Sequence, residues 1–200
     1  EYDRYYYWRE NYFKKNHINI EVKNKYKTIL ETNFVKKNYR LSSDFYELIA
    51  KDKKLMLVTH SMKSNDILNC GISVINELRE NSHVLDIGCN AAYLTSFYAE
   101  IFPNSHFIGL DKSKNSILQA STLSNLEKYP NLDLSYDYDI LNKYKFNFIV
   151  DTQCLCTLKK KELLLILDLL KNCFYSNTKV ISISNLRNEE DANIFLKPFL

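Results

Sequence analysis

Two hundred residues with 46% hydrophobic and 26% charged side chains describe an ordinary globular composition and exclude a disordered, fibrous or membrane chain. The net charge of +3, from 27 basic and 24 acidic residues, is too small to point to nucleic acid as the partner, and it does not exclude RNA. Three glycines and three prolines argue against a turn-rich β-sandwich or barrel, which needs such residues at its corners.

The chain opens at Glu1 without a charged-then-apolar leader, and the absent initiator Met leaves room for a trimmed start. Its first eighty residues carry helical periodicity and no convincing strand. Tyr5, Trp8, Tyr12 and Phe13 recur at helical spacing and make one aromatic face, with Arg4, Lys14 and Lys15 elsewhere on the surface. Asp44 with Glu47 fits a capping box that opens a helix through Leu48 and Ile49. Ile67, Leu68, Gly71, Val74, Ile75 and Leu78 then form an apolar stripe leading into the first strand. This segment holds 15 Lys/Arg against 11 Asp/Glu, so the basic excess belongs to it. Residues 1–65 read as an N-terminal helical appendage and residues 66–200 as the core.

From His83 onward, short apolar runs alternate with helical patterns, the signature of a parallel sheet covered by helices. Five strands are expected: His83 to Ile87, His106 to Leu110, Leu132 to Tyr136, Phe146 to Asp151 and Lys179 to Ser184. Helices are expected over Ala91 to Phe102, Lys114 to Tyr129 and Lys159 to Cys173. Pro103 and Pro130 stand just past two of them as stop signals. Right-handed crossovers then build an α/β, doubly wound sheet.

The greasiest stretch, Leu163 to Leu170, is far short of the ~20 apolar residues that span a bilayer, and it holds Asp168, so no membrane role is expected. Five cysteines at irregular spacing do not make a disulfide framework, and the C-x-C of Cys154 and Cys156 is poor metal-ligand spacing. A reducing cytoplasm and no metal are the expectations.

The chemistry concentrates where the first strand runs into Gly88, Cys89, Asn90, Ala91 and Ala92 and a helix follows at once. That places the loop at the carboxyl edge of the sheet, where such folds bind ligands. Gly88 permits a sharp turn and close approach of a ligand to the backbone. Asn90 tolerates a left-handed conformation and can stand where a second glycine is expected. Asp111 ends the second strand 23 residues after Gly88, where a carboxylate can accept hydrogen bonds from both ribose hydroxyls. A dinucleotide site needs further glycines so that pyrophosphate can lie on backbone amides. Here those glycines are missing and Asp86, just before the loop, would repel phosphate. The local chemistry therefore selects a cationic, phosphate-free nucleoside.

The runs V-L-D-I-G-C-N-A-A-Y-L-T (Val84 to Thr95) and F-I-G-L-D-K-S (Phe107 to Ser113) resemble motif I and the second-strand acidic motif of class I S-adenosylmethionine-dependent methyltransferases, which are Rossmann-like. The resemblance covers roughly residues 66 to 186 and implies sheet order 3-2-1-4-5 with S-adenosylmethionine as cofactor. It implies that Asp86, Gly88, Cys89 and Asn90 surround the methionine part, that Asp111 with Lys112 meets the ribose, and that Asp139 with Ile140 flanks the adenine. The end of strand four, Asp151 to Cys154, would face the transferred methyl. Asn90 and Ala92 depart from the motif's last two glycines, and the family's strands six and seven are not visible before Leu200.

Competing readings stand beside these. Asp137 competes with Asp139, because the D-Y-D run permits a shift by two. Cys154 and Cys156 read as buried structural thiols before they read as nucleophiles. His60 and Asp151 are the candidate catalytic groups, against surface decoration for a lone loop histidine. The aromatic stripe is expected to pack over the carboxyl edge as a lid, against simple helix packing. The reading adopted is a methyltransferase acting on a small-molecule acceptor by in-line displacement, with the N-terminal helices covering the cofactor and forming the acceptor pocket. The alternatives are an RNA or protein methyltransferase and a catalytically inactive interaction module; the oligomeric state is left open.

Overall fold

A computed structural model of the chain describes residues 2–14, 18–35, 40–41, 43–62, 64–124 and 126–184. Five strands form one parallel sheet: β1 (His83–Ile87), β2 (His106–Leu110), β3 (Leu132–Ser135), β4 (Phe146–Thr152) and β5 (Phe174–Ile183), in the order β3-β2-β1-β4-β5. Eight helices accompany them among the described residues. These are α1 (Tyr2–Lys14), α2 (Ile20–Asn33), α3 (Ser43–Ala50), α4 (Lys53–Met62), α5 (Ser64–Ile75), α6 (Tyr93–Ile101), α7 (Lys114–Leu123) and α8 (Lys160–Lys171).

The sheet is covered on both faces, which is why its central strands are apolar at successive positions and do not alternate with polar ones. Val84, Phe107, Phe148 and Val150 face one layer, packed with Leu68, Ile72, Tyr93 and Phe97 of α5 and α6. Leu85, Ile87, Ile108 and Ile149 face the other, against Leu163, Ile166, Leu167 and Leu170 of α8. The period of two also sorts two acidic residues: Asp86 shares the face of Val84, and Asp151 that of Ile149.

The expected β1 and β2 match the observed ones, and β3 is a residue shorter. Strand β5 begins five residues before the expected Lys179. The polar run Ser176, Asn177, Thr178 reads as a turn, yet Thr178 Oγ1 donates to Phe146 O (2.6 Å) and accepts from Tyr175 N (2.7 Å), carrying the pairing across a register shift. Helix α7 stops at Leu123, because Ser124 turns back to donate its hydroxyl to Ala91 O, and a 3₁₀ turn, Leu126–Lys128, follows. The appendage includes a two-residue antiparallel ladder, Phe34–Val35 with Arg40–Leu41, where no strand was expected. Helix α3 begins at Ser43, one residue before the expected cap Asp44. Strand β5 ends at Ile183, one residue before the expected Ser184, and residues 185–200 lie outside the described residues.

The aromatic stripe docks, but not over the carboxyl edge. Tyr5 and Trp8 pack along α6, with ring centroids 5.1 and 5.2 Å from Phe97. The side chains of Tyr12 and Phe13 lie outside those described. The edge is covered instead by α3 and α4. Phe45, Ile49, Met56 and Val58 form a third cluster there with Tyr26 of α2, with Ala91 and Ala92 of the β1 loop and with Ala120 and Leu123 of α7. The physical reason is area: Tyr93 and Phe97 give α6 a broad aromatic flank that accepts α1. Phe97→Ala should therefore cost about 3–5 kcal/mol of unfolding free energy, measured by denaturant titration, since Phe97 is fully buried beneath both rings.

Candidate functional site

A cavity of about 440 Å³ opens at the carboxyl edge of the sheet. Its floor is the β1 loop. Gly88 has φ 73°, and its N–H donates to Leu110 O at 2.7 Å. A β-carbon on Gly88 would come within 2.2 Å of Cys154 Sγ, so only glycine fits under the end of β4. Asn90 and Ala92, which replace the motif's glycines, take φ of 54° and 53°, the same left-handed turn at some cost in strain. Hydrogen bonds offset that strain. Asn90 N donates to Asp111 Oδ2 (2.9 Å), Ala91 N to Asn90 Oδ1 (2.7 Å) and Ala92 N to Cys89 O (2.8 Å).

Asp111 joins the two strand ends. Its Oδ2 accepts from Asn90 N and its Oδ1 from Ser113 N (2.8 Å), so two of the four acceptor directions of the carboxylate are used and two are left. Burial raises its pKa, and the two N–H donors counter the rise. Lys112 lines the cavity, with its ammonium 2.7 Å from Glu162 Oε1. Asp86 lines the inner wall at 4% exposure, and its Oδ2 accepts from Thr95 Oγ1 at 2.5 Å. Desolvation pushes its carboxyl up to about 7, against the Thr95 bond, with Asp151 and Asp111 adding repulsion.

Of the expected site residues, Asp86, Gly88, Cys89, Asn90, Asp111, Lys112 and His60 line the cavity. Asp139, Ile140 and Asp151 do not. Asp139 is exposed, with its N–H donating to Asp137 Oδ1 as Asp137 caps a 3₁₀ turn; Ile140 is half-buried against the α8 layer; the residue between the two aspartates, Tyr138, reaches the cavity. Asp151 is fully buried: Oδ1 accepts from Cys154 N and Leu155 N, both at 2.9 Å, and Oδ2 from Ser182 Oγ (2.7 Å) and Ser184 Oγ (3.4 Å). Its four acceptor directions are all taken. Burial raises its pKa, opposed by these donors.

Sequence reasoning put the N-terminal helices over the site but did not identify the residues through which they line it. Tyr46 and Glu47 of α3, Thr59 beside His60 on α4, Cys70 of α5 and Tyr93 of α6 also line the cavity. Glu47 Oε1 accepts from Asn115 Nδ2 at 2.6 Å, which ties α3 to the start of α7. Burial pushes the Tyr46 hydroxyl up to about 12. No periodic signal marks these positions, because they converge through tertiary packing of four helices. Burial holds the thiols of Cys89 and Cys154 well above the ordinary range, so both stay protonated and are poor nucleophiles. Among the described residues no cluster of three His, Cys, Asp or Glu side chains is placed to hold a metal ion, and no helix is long and apolar enough to cross a membrane.

The donor set fits a cationic nucleoside. A glycine floor, a strand-end carboxylate with two open acceptor directions and a second buried carboxylate suit hydroxyls and positive charge, while the lysine at the rim is already paired. The fold and this edge define a class: the Rossmann-like, class I methyltransferase arrangement. An S-adenosylmethionine-dependent methyltransferase from Aquifex aeolicus has the same fold, with a TM-score of 0.55 and 15% identity over 73% of this chain and 86% of its own. PKMT2 from Rickettsia typhi aligns at 27% identity over 49% of this chain and 20% of its own (TM-score 0.44). The ribosomal protein L11 methylase from Lactobacillus delbrueckii subsp. bulgaricus aligns at 17% over 56% of each chain (TM-score 0.46). The chain thus spans a fifth to just over half the length of those two proteins. No curated protein is similar to it. The methyltransferase domain family matches residues 78–191, more than half the chain, and the chain belongs to that family, whose cofactor is S-adenosylmethionine.

Asp86 sets a pH dependence for the ligand-free fold. Its pKa rises from 3.8 in the open chain to about 7 in the folded one, so its contribution is fully favourable below the lower value and is lost as pH rises to the upper. Asp86→Asn, which keeps an acceptor for Thr95, should therefore be increasingly stable relative to the parent between about pH 4 and about pH 7, with the difference level above that. Chemical denaturation across this range checks it.

Proposed function

We propose that the cavity binds S-adenosylmethionine and that the chain passes its methyl group to a small-molecule acceptor entering under α3 and α4. The observation that carries this reading is the acidic, glycine-floored edge, where Asp86 and Asp111 converge and Lys112 is paired with Glu162. S-adenosylmethionine supplies a methyl on a sulfonium, whose departure leaves a neutral thioether. The protein's part is therefore to align the partners and exclude water.

Asp111 holds the ribose hydroxyls with its two remaining acceptor directions, beside Lys112. Gly88, Cys89 and Asn90 receive the methionine part, and Asp86 offsets its positive charge. Tyr138 lies against the adenine, with Asp139 and Ile140 behind it. Residues 1–65 serve as the cover, with α3 and α4 over the site, and residues 66–200 as the core. His60 faces the acceptor, as the group to orient it or take its proton. Asp151 touches neither partner; it is a positioning residue that pins the β4 loop, and with it Cys154, to β5. The left-handed turns kept at Asn90 and Ala92 support a working loop over an inactive relic. None of the five cysteines is joined in a disulfide, which supports a reducing, cytoplasmic setting.

Calorimetry should register S-adenosylhomocysteine binding at micromolar strength, about −8 kcal/mol. Asp111→Ala should lose roughly 1.5–3 kcal/mol of that, because charge-assisted bonds are removed. A folded Asp111→Ala variant that binds as tightly as the parent would move the ribose elsewhere. A steep decline of acceptor binding with salt would favour RNA over a small molecule.

Asp151 gives a second check. Asp151→Asn keeps an oxygen for Cys154 N and Leu155 N, and the serine hydroxyls can rotate to accept from its amide. It should bind S-adenosylhomocysteine within about threefold of the parent, whereas Asp151→Ala should weaken binding at least about tenfold through the loosened loop. Equal binding by a folded Asp151→Ala variant would remove the positioning role.

A further inference from the structure

Tyr93 looks in two directions. It is the first residue of α6, 3% exposed, directly after the left-handed Ala92, and its side chain lines the cavity. On the cavity side its ring lies 4.8 Å from that of His60, tilted by 31°. On the other side it meets α1. Its hydroxyl shares a 3.3 Å hydrogen bond with Tyr5, and its ring stands 4.7 Å from Trp8 at 64°, an edge-to-face contact.

Trp8 is itself fixed at its far edge. Its Nε1 donates to Tyr129 Oη (3.2 Å), and that hydroxyl donates to Glu100 Oε2 (2.8 Å), to which Lys128 also pairs. A continuous run of held side chains thus reaches from the outer flank of α6, through Trp8 and Tyr93, to His60. Trp8 does not line the cavity; among the described residues its ring contact with Tyr93 links α1 to the cavity lining.

We propose that Tyr93 is a positioning residue that sets His60 at the acceptor side and is itself held from behind by Tyr5 and Trp8, so that α1 completes the site without touching the ligand. This rests on reading the cavity as the methyl-transfer site. The geometry gives α1 the role that a lid would have had, exercised from the flank. Aromatic pairs of this kind contribute beyond their buried area and are directional, so moving one ring moves the next.

Trp8 is the single tryptophan of the chain, so its emission reports this contact without labelling. The full chain is titrated with S-adenosylhomocysteine while Trp8 emission and heat are recorded in parallel. The proposal expects a saturable change in emission with the same midpoint as the calorimetric curve. Tyr93→Leu should abolish the emission change and weaken binding about two- to tenfold, and Tyr93→Phe, which keeps the ring, should restore both. Heat without any emission change in the parent overturns the proposal while leaving the cofactor reading intact. Absence of heat in the parent overturns the cofactor reading instead, and with it the proposal. A folded Tyr93→Leu chain with parental emission response and affinity also overturns the proposal. Should Tyr93→Leu not fold, the parent titration alone decides.

Discussion

The hydrogen bond from Asn90 N to Asp111 Oδ2 holds the site together. It joins the loop after β1 to the end of β2, adding a side-chain tie to the backbone bonds that Gly88 N and Cys89 N donate to Leu110 O. Without glycine at positions 90 and 92, the loop must place Asn90 and Ala92 at positive φ, which costs roughly 1–2 kcal/mol at Ala92 and less at Asn90. The Asp111 carboxylate, the Asn90 side chain and the Ser124 hydroxyl supply the compensating bonds. The turn that lets a ligand approach Gly88 is thus maintained by side chains from β2 and α7. A motif richer in glycine would adopt it with less help.

Three carboxylates meet at this edge, and the sheet gives each a different environment. Asp111 is bonded by backbone N–H groups and keeps acceptor capacity. Asp151 is saturated by two N–H groups and two hydroxyls on the opposite face. Asp86 has Thr95 and a dry wall, and burial there pushes its carboxyl up to about 7. A cation arriving beside Asp86 gains most where that carboxyl is ionised, so the site is prepared for positive charge at the cost of some stability in its absence. That arrangement follows from which face of β1 or β4 each side chain occupies. It could not follow from acidity alone.

Much of this was legible in the sequence, and the division is physical. Strands β1 and β2 lie in the sheet centre, where burial on both faces writes continuous apolar runs with sharp polar ends, so their bounds were readable. Strand β5 was not fully readable, because a sheet-edge strand tolerates Ser176, Asn177 and Thr178, which also suit a turn. The loop and its partner carboxylate were found because β1, its turn and β2 are local in sequence and their spacing is set by one crossover. The N-terminal helices were expected as a cover, but not the residues that do the covering: Tyr46, Thr59 and Cys70 converge from three helices whose arrangement no periodicity encodes. Asp151 was expected to face the cofactor, but its carboxylate turns to Ser182 and Ser184, some thirty residues away in sequence.

The aromatic stripe of α1 shows the same limit from another side. Its periodicity establishes that the helix must bury one face, since so much apolar area does not stay in water. It does not say against what. The carboxyl edge offered a ligand site, whereas α6 offered Tyr93 and Phe97, and edge-to-face contacts with rings already fixed in the core outweigh a looser seat over a polar opening. Because Tyr93 begins α6 at the very turn the site requires, docking on the flank still brings α1 within one side chain of the ligand. The same Ala92 turn that shapes the floor of the cavity therefore also determines where α1 makes its contact with the site.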